Sequence, residues 1–182
     1  MMKSIVTIAT SLALTAFGTV YAQASAIGSP PNDAQIAQIV LTADTVDVDY
    51  GKMAANKTTN SKVKAFAETM VRDHSAVNAK ATALAKKLGV TPEDSDTSKS
   101  LKQGGEQNMA ALKKLSGPAF DKAYIDHEVA YHQAVLDAVD KTLIPSAQNA
   151  ELKALLVKVR PAFVAHLDHA KQVQASLGKS GA

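Results

Sequence analysis

The stretch of residues 63–88 constrains the fold more than any other part of the chain. Its apolar residues recur at alternating intervals of three and four, at Val63, Ala67, Met70, Val77, Ala81, Leu84 and Leu88. This spacing is typical of a helix that packs against other helices along one stripe. The same register places His74 on the stripe, beside Asp73. Because a histidine inside a buried stripe needs a polar partner, we expect partners for it on the other helices.

Helical periodicity also extends over residues 33–56, 118–143 and 147–177. Asn32 and Asp33 can cap the first of these helices, together with Gln35. A weaker pattern covers residues 100–115, and Gly104-Gly105 is expected to interrupt it. No part of the chain has the alternation of a strand.

Short or polar segments separate these helices. A tight connection at residues 58–61 predicts an antiparallel hairpin of the first two helices, and Gly89 can end the second in the left-handed conformation. Residues 90–99 are a polar linker. The segments Ser-Gly-Pro at residues 116–118 and Ile-Pro-Ser at residues 144–146 are typical of helix boundaries and bound the fourth helix. Gly178 is expected to end the last helix. The pattern predicts an all-α four-helix bundle with a long crossover that contains a short extra helix.

The N-terminus has the features of a secretory signal peptide. Lys3 precedes an apolar run over residues 5–20, and small residues then allow cleavage after Ala22 or Ala24. A retained membrane anchor is the alternative, but the run is short for a span and no later stretch is apolar enough. We expect a signal peptide over 1–22, a leader over 23–31, the bundle over 32–178, a tail over 179–182, and a periplasmic location.

Composition excludes several classes of function. The chain has no cysteine, so it has no disulfide, thiolate metal site or catalytic thiol. A net charge of +3 with scattered lysines gives no basic stripe for nucleic acid. Aromatic residues make up 4% of the chain and none is Trp, which argues against a carbohydrate platform or a large planar cofactor.

The five histidines all fall within predicted helices, and three of them face inward. At about 1.5 Å of rise per residue, His74, His132 and His166 lie at similar heights in a bundle with this topology. Asp47, or Asp44, lies near mid-height on the first helix. The candidate ligands are His74 with Asp73, His132 with Glu128, His166 with His169, and Asp47.

Two interpretations of this polar layer remain open. Imidazole and carboxylate suit an iron, zinc, manganese or copper ion, and bundle interiors hold such sites. Alternatively, the layer is structural, and its members satisfy one another by hydrogen bonds that fix the helix register. The chain lacks the paired Glu-x-x-His turns of a di-iron site. The run DTVDVDYG lacks the acidic spacing of a calcium loop.

Several motifs together resemble the DUF4142 family of exported bacterial proteins, in the ferritin-like superfamily. The sharpest are Met-Val-Arg-Asp-His ending at His74, and Phe-Asp-Lys-Ala-Tyr ending at Tyr124 and followed by His132. The family's acidic position matches Asp47, and its recurring histidines match His74, His132 and His166, whereas His127 and His169 are particular to this chain. The resemblance implies a ferritin-like bundle and implies no activity, because the family is a domain of unknown function.

We therefore expect a non-enzymatic exported bundle with a binding or stress-related role in the envelope, whose polar centre could hold a metal ion. A metal-dependent oxidase or peroxide-handling enzyme is the alternative. A third hypothesis is an interaction module that binds an envelope protein through an exposed helix face or residues 90–99. The sequence does not predict the oligomeric state.

Overall fold

The computed structural model describes residues 29–179, and this part of the chain is helical without any strand. The helices are α1 (Asp33–Lys57), α2 (Ser61–Leu88), α3 (Asp96–Lys113), α4 (Gly117–Ala138), the three-residue α5 (Ile144–Ser146) and α6 (Ala150–Lys179). A π-helical segment, Val139–Leu143, joins α4 to α5. The all-α prediction is confirmed. The predicted signal peptide, most of the leader and residues 180–182 of the tail lie outside the described residues.

Local capping explains where the first two helices begin and end. Asn32 and Gln35 form a reciprocal capping box at the start of α1, as predicted. The side chain of Asn60 accepts from the backbone N–H groups of Lys62 and Val63 in the first turn of α2. Gly89 has a φ of 64°, so it ends α2 in the left-handed conformation that glycine adopts without strain.

Apolar side chains fill the bundle at both ends and enclose a polar layer. The first apolar cluster includes Ile36, Ile39, Val77, Leu136, Leu156 and Phe163. The second apolar cluster includes Tyr50, Phe66, Met70, Phe120, Tyr124 and Val173. The buried polar layer between them consists of Asp44, Asp47, His74, Glu128, His132 and His166.

The order of these layers along each helix gives the topology. Helices α1 and α6 run from the first apolar cluster through the polar layer to the second. Helices α2 and α4 run the other way, so they are parallel to each other and antiparallel to α1 and α6. This is the predicted arrangement of two hairpins with a crossover, because α3 carries the chain back along the length of the bundle.

The expectation that Gly104-Gly105 interrupts the third helix is wrong. α3 continues through both glycines and packs against α1, with Leu112 buried. Gly105 allows this close approach, since a Cβ there would lie 2.9 Å from Cγ2 of Val46. The hydroxyl of Tyr50 also donates to the carbonyl of Gly105 over 3.0 Å. Packing on α1 therefore outweighs the poor helix propensity of the two glycines.

The connection between the last two long helices also differs from the prediction. The fourth helix changes to π-helical geometry at Val139, and the N–H of Ile144 donates to the carbonyl of Val139. Pro145 follows directly and has no backbone N–H. The regular pattern of helical hydrogen bonds therefore cannot continue through it, which favours a change of helical geometry before the turn. α6 begins at Ala150 rather than Ala147, and Gly178 lies inside it instead of closing it.

Within residues 29–179, no helix combines the length and the apolar character that crossing a membrane requires.

Candidate metal centre

Three histidines from three helices meet in the polar layer. His74 comes from α2, His132 from α4 and His166 from α6, and each residue is 5% exposed or less. Their ring centroids are 5.5 Å apart for His74 and His132, 5.1 Å for His74 and His166, and 5.5 Å for His132 and His166. Each offers a ring nitrogen within 4.8 Å of the other two. The rings thus form a compact, nearly equilateral triangle inside the bundle.

Asp47 brings a carboxylate from α1 to the same place. The residue is completely buried, and its Oδ2 lies 3.2 Å from Nε2 of His74 and 3.5 Å from Nε2 of His132. Each long helix of the bundle therefore contributes one side chain to the centre. These are the four side chains that the sequence placed at one height.

One ring nitrogen of His74 and one of His166 are each held by a hydrogen bond to a carboxylate. Nδ1 of His74 lies 2.6 Å from Oδ1 of the buried Asp44. Nε2 of His166 lies 3.0 Å from Oδ2 of Asp73. A carboxylate only accepts hydrogen bonds, so each of these nitrogens carries the proton. In a neutral ring, the other nitrogen then has the free lone pair.

The tautomer of His132 is fixed in the same way by the backbone. Its Nδ1 lies 3.0 Å from the carbonyl oxygen of Glu128, one turn earlier on α4. A carbonyl cannot donate, so Nδ1 carries the proton and Nε2 presents its lone pair towards Asp47. Both the helix and the outer partners thus orient the imidazoles before any ligand arrives.

The inward-facing atoms have no hydrogen-bond partner among the described residues. They are Nε2 of His74, Nε2 of His132, Nδ1 of His166 and both carboxylate oxygens of Asp47. With neutral rings, all of these atoms are acceptors and none can donate to another. A buried acceptor without a partner costs about 1–3 kcal/mol. A positive charge among these acceptors would remove that cost, because each of them could interact with it.

Burial and the close approach of these groups also shift their pKa values. Burial and the nearby Asp44, opposed by His74, raise the pKa of Asp47 to about 6. Burial together with the nearby His74 and His166 lowers the pKa of His132 to about 3. Burial alone would lower the pKa of His74, but Asp47 and Asp44 outweigh it and raise this pKa. His132 is therefore a neutral ligand nitrogen over the whole physiological range.

Two kinds of positive charge can satisfy this arrangement. A proton on Nε2 of His74 would let the ring donate to Asp44 on one side and to Asp47 on the other. That proton would leave the lone pairs of His132 and His166 without a partner. A metal ion would engage the three imidazoles, whose nitrogens lie within 4.8 Å of one another, together with the Asp47 carboxylate that lies beside His74 and His132.

Glu128 lies beside this group, and its carboxyl group interacts with the hydroxyl of Tyr124. It is fully buried, and Oε2 is 3.4 Å from Nδ1 of His132. Burial, with the nearby Asp47, raises the pKa of Glu128 well above its ordinary value. It offers an oxygen within 4.8 Å of ligand atoms from Asp47 and His132. Burial thus favours the neutral form of Glu128 next to the centre.

Two of the candidate residues from the sequence lie outside the centre. The sequence pairs Asp73 with its neighbour His74, but in the structure Asp73 bonds His166 instead. One residue turns a helix by about 100°, which points Asp73 away from the ring of His74 and towards α6. His169 is half-buried, and its ring centroid lies 5.2 Å from that of Phe66.

Asp44 has a role that the sequence did not assign to it. The sequence offers Asp44 only as an alternative to Asp47, because the two lie three residues apart on one face of α1. In the structure both are used, Asp47 towards the centre and Asp44 behind the ring of His74. One sequence feature could have indicated two separate roles. Two inward-facing acidic residues on α1 lie opposite a single histidine of α2, and a histidine ring has two nitrogens that can each take a partner.

A family model described as "Domain of unknown function (DUF4142)" matches residues 18–173 of the chain, which confirms the resemblance found in the sequence. Neither a curated protein nor a solved structure gives a significant match.

Proposed function

The chain belongs to the DUF4142 family, and we propose that it is a non-enzymatic metal-binding protein that holds one divalent transition-metal ion in its polar layer. One observation carries this proposal. One nitrogen of each histidine is fixed by a hydrogen bond, while the other nitrogen and both carboxylate oxygens of Asp47 are buried without a hydrogen-bond partner among the described residues.

The donor set suits a borderline metal ion. Three imidazole nitrogens and one carboxylate oxygen are typical ligands of zinc, iron, copper or manganese. A contraction of the group would bring the nitrogens to about 2.0–2.1 Å from a zinc ion. The partners behind His74 and His166 are carboxylates, and such outer partners orient ligand histidines and raise their basicity.

Charge balance also supports a divalent ion. Asp44 and Asp47 are the two carboxylates that lie 2.6 and 3.2 Å from the ring nitrogens of His74, and the raised pKa of Glu128 favours its neutral form. A charge of +2 would compensate two ionised carboxylates, so the buried layer would carry no net charge. A layer without net charge avoids the large cost of burying an uncompensated charge.

A binding role is favoured over catalysis by the closure of the site. With the three histidines and Asp47 as ligands, four protein groups would complete a tetrahedral shell, whereas catalytic zinc sites keep a position open for water or substrate. Two cavities of the described chain lie elsewhere. One is an apolar cavity near Val77 and Leu156, and the other is a groove of about 380 Å³ between α1 and α3. Neither is lined by the four candidate ligands.

The alternative is a metal-dependent oxidase or peroxide-handling enzyme, and the position of Glu128 favours it. A carboxyl group beside the ion could replace one ligand or move a proton. Adding Fe²⁺ to the metal-free protein under air tests this alternative. Oxygen or peroxide consumption that disappears in Glu128→Gln would support an enzyme, and consumption no faster than with free Fe²⁺ would support the binding role.

We place this function in the periplasm, on the strength of the signal-peptide features of residues 1–22. Expression of the full chain with its native N-terminus tests the location. A mature protein in the periplasmic fraction that begins after Ala22 or Ala24 would support export. An uncleaved chain in the membrane fraction would support the retained anchor instead.

Metal content tests the central proposal. The mature protein is stripped with a chelator, dialysed separately against Zn²⁺, Fe²⁺, Mn²⁺ and Cu²⁺, and analysed for bound metal. We expect about one ion per chain for at least one metal in the parent and in the control His169→Asn, and none in His132→Asn. No retained metal in the parent would make the polar layer structural and overturn the proposal.

A further inference from the structure

The solvent exposure of the polar side chains rises from Asp47 and His132 in the polar layer through His166 to Asp73. Asp47 and His132 are 0% and 1% exposed, and His166 is 5% exposed. The side chain of Asp73, which accepts from the outer nitrogen of His166, is 33% exposed. The outer partners of His74 and His132 are buried, since Asp44 is 3% exposed and Glu128 is 0% exposed. Among these outer partners, Asp73 alone reaches solvent.

Arg72 lies across this exposed end. Its Nε and second terminal nitrogen donate to the two carboxylate oxygens of Asp73 over 2.7 and 3.1 Å, and its own side chain is 70% exposed. The chain from solvent to the centre is therefore Arg72, Asp73 and His166. Arg72 both neutralises Asp73 and restrains the carboxylate that holds the ring of His166.

We infer that metal ions enter and leave the centre between α2 and α6, past His166, with Asp73 as the carboxylate that first attracts the cation and Arg72 as the restraint on this route. This inference rests on the proposed metal-binding function and assigns a role to two residues outside the ligand set. For an ion to pass, the ring of His166 must swing away from Asp73, so the strength of this hydrogen-bonded chain sets the exchange rate. Asp73 and Arg72 act through His166 and are positioning residues.

The two positioning residues have opposite effects on a cation that approaches. Removing Arg72 exposes the negative charge of Asp73 and frees its carboxylate, so a cation is attracted more strongly and the ring of His166 moves more easily. Converting Asp73 to Asn removes the attraction and weakens the partner that orients His166. A merely structural role for the pair would not change the rate of metal entry in opposite directions.

The chain offers a matched control for the loss of an arginine. Arg160 donates to both carboxylate oxygens of Asp140 over 2.6 and 2.7 Å, in the same bidentate arrangement on the surface. It lies six residues before His166 on α6, about 9 Å along the helix axis. Neither Arg160 nor Asp140 contacts the polar layer in any hydrogen bond or ion pair recorded for the described residues.

The test is stopped-flow mixing of the metal-free mature protein with Co²⁺, followed by the visible absorption that the ion gains when it leaves water for the centre. We expect Arg72→Ala to raise the association and dissociation rates together by about threefold or more, with a dissociation constant close to that of the parent. Asp73→Asn should lower the association rate by a similar factor, and Arg160→Ala should match the parent.

The outcomes separate the two proposals. Co²⁺ binding by the parent with unchanged rates in both Arg72→Ala and Asp73→Asn would overturn the route and leave the metal site standing. Equal acceleration by Arg72→Ala and Arg160→Ala would also overturn it, because the effect would then be one of overall charge. A parent protein that gives no Co²⁺ signal would overturn the metal site and the route together.

Discussion

Oδ1 of Asp44 lies 2.6 Å from Nδ1 of His74, and the two residues come from opposite helices of the first hairpin and are both buried. This pair decides which nitrogen of His74 faces the centre. It also places a negative charge behind the ring, which raises the basicity of the inward-facing Nε2.

Replacing Asp44 by Asn should weaken metal binding without removing a ligand. The amide oxygen can still accept from Nδ1 of His74, but the charge behind the ring is lost. We expect the dissociation constant for Zn²⁺ to rise by about 10- to 100-fold, the range typical of outer-partner substitutions. Competition with a chromogenic chelator measures it.

Asp49→Asn is the control for this substitution, since its side chain lies on the same helix and is 57% exposed. It should leave the dissociation constant within about twofold of the parent, because an exposed charge is screened by water and salt. An equal loss of affinity in Asp44→Asn and Asp49→Asn would contradict a specific role for Asp44.

The stability of the metal-free protein should fall with acid, in part through His127. Burial between aromatic rings lowers the pKa of His127 to about 4, whereas in the unfolded chain it is about 6.5. Between these values the unfolded state binds the proton and the folded state does not. The stability contributed by neutral His127 is therefore complete above about pH 6.5 and is lost as the pH falls towards 4.

His127→Phe should make the protein less sensitive to acid. Between pH 7 and pH 5, we expect the parent to lose about 1–2 kcal/mol more unfolding free energy than the variant. Urea unfolding at the two pH values, with a chelator present, gives this difference. Parallel pH dependences of parent and variant would show that His127 is not kept neutral by burial.

A buried hydrogen bond between Thr58 and Asp121 should stabilise the turn between α1 and α2. The Thr58 hydroxyl donates to Oδ1 of Asp121 over 2.5 Å, and both residues are buried. Thr58→Val keeps the shape and leaves a carboxylate oxygen without its donor, at a cost of about 1–3 kcal/mol. The neighbouring Thr59 is exposed, so Thr59→Val should change the free energy of unfolding by less than about 0.5 kcal/mol. Similar losses in both variants would argue against this bond.

Two glycines should respond oppositely to a methyl group. A Cβ at Gly51 would lie 2.8 Å from the carbonyl oxygen of Ala67 and 2.8 Å from Cγ2 of Val71, so α1 and α2 would have to separate. Gly51→Ala should therefore destabilise the protein by about 1–3 kcal/mol. At Gly104 a Cβ meets nothing within 4 Å, and Gly104→Ala should stabilise α3 by about 0.5–1 kcal/mol. Thermal unfolding of both variants measures this contrast, and a stabilising Gly51→Ala would refute the close contact of the two helices.

Periodicity alone predicted the bundle and the inward direction of His74, His132 and His166, because a helical residue's face follows directly from its position in the repeat. It also predicted the crossover, since a long connection makes the second and fourth helices parallel. It could not assign the outer partners. Whether Asp73 bonds His74 or His166 depends on the rotation of α2 against α6, and a repeat along one helix does not specify that rotation.

The third helix shows a second limit of the sequence. Propensity predicted a break at Gly104-Gly105, because glycine costs about 1 kcal/mol in a helix interior. The benefit of having no side chain at Gly105 becomes visible only when Val46 and Tyr50 of α1 lie against it. Tertiary packing of this kind cannot be inferred from local composition.

Anomalous diffraction from crystals of the Zn²⁺-loaded mature protein tests the central claim most directly. The account predicts one strong peak between His74, His132, His166 and Asp47, with zinc–nitrogen distances of about 2.0–2.1 Å. Its ligand atoms should be Nε2 of His74 and His132 and Nδ1 of His166. A polar layer without a peak, or zinc bound only outside the layer, for example at His169, would contradict it.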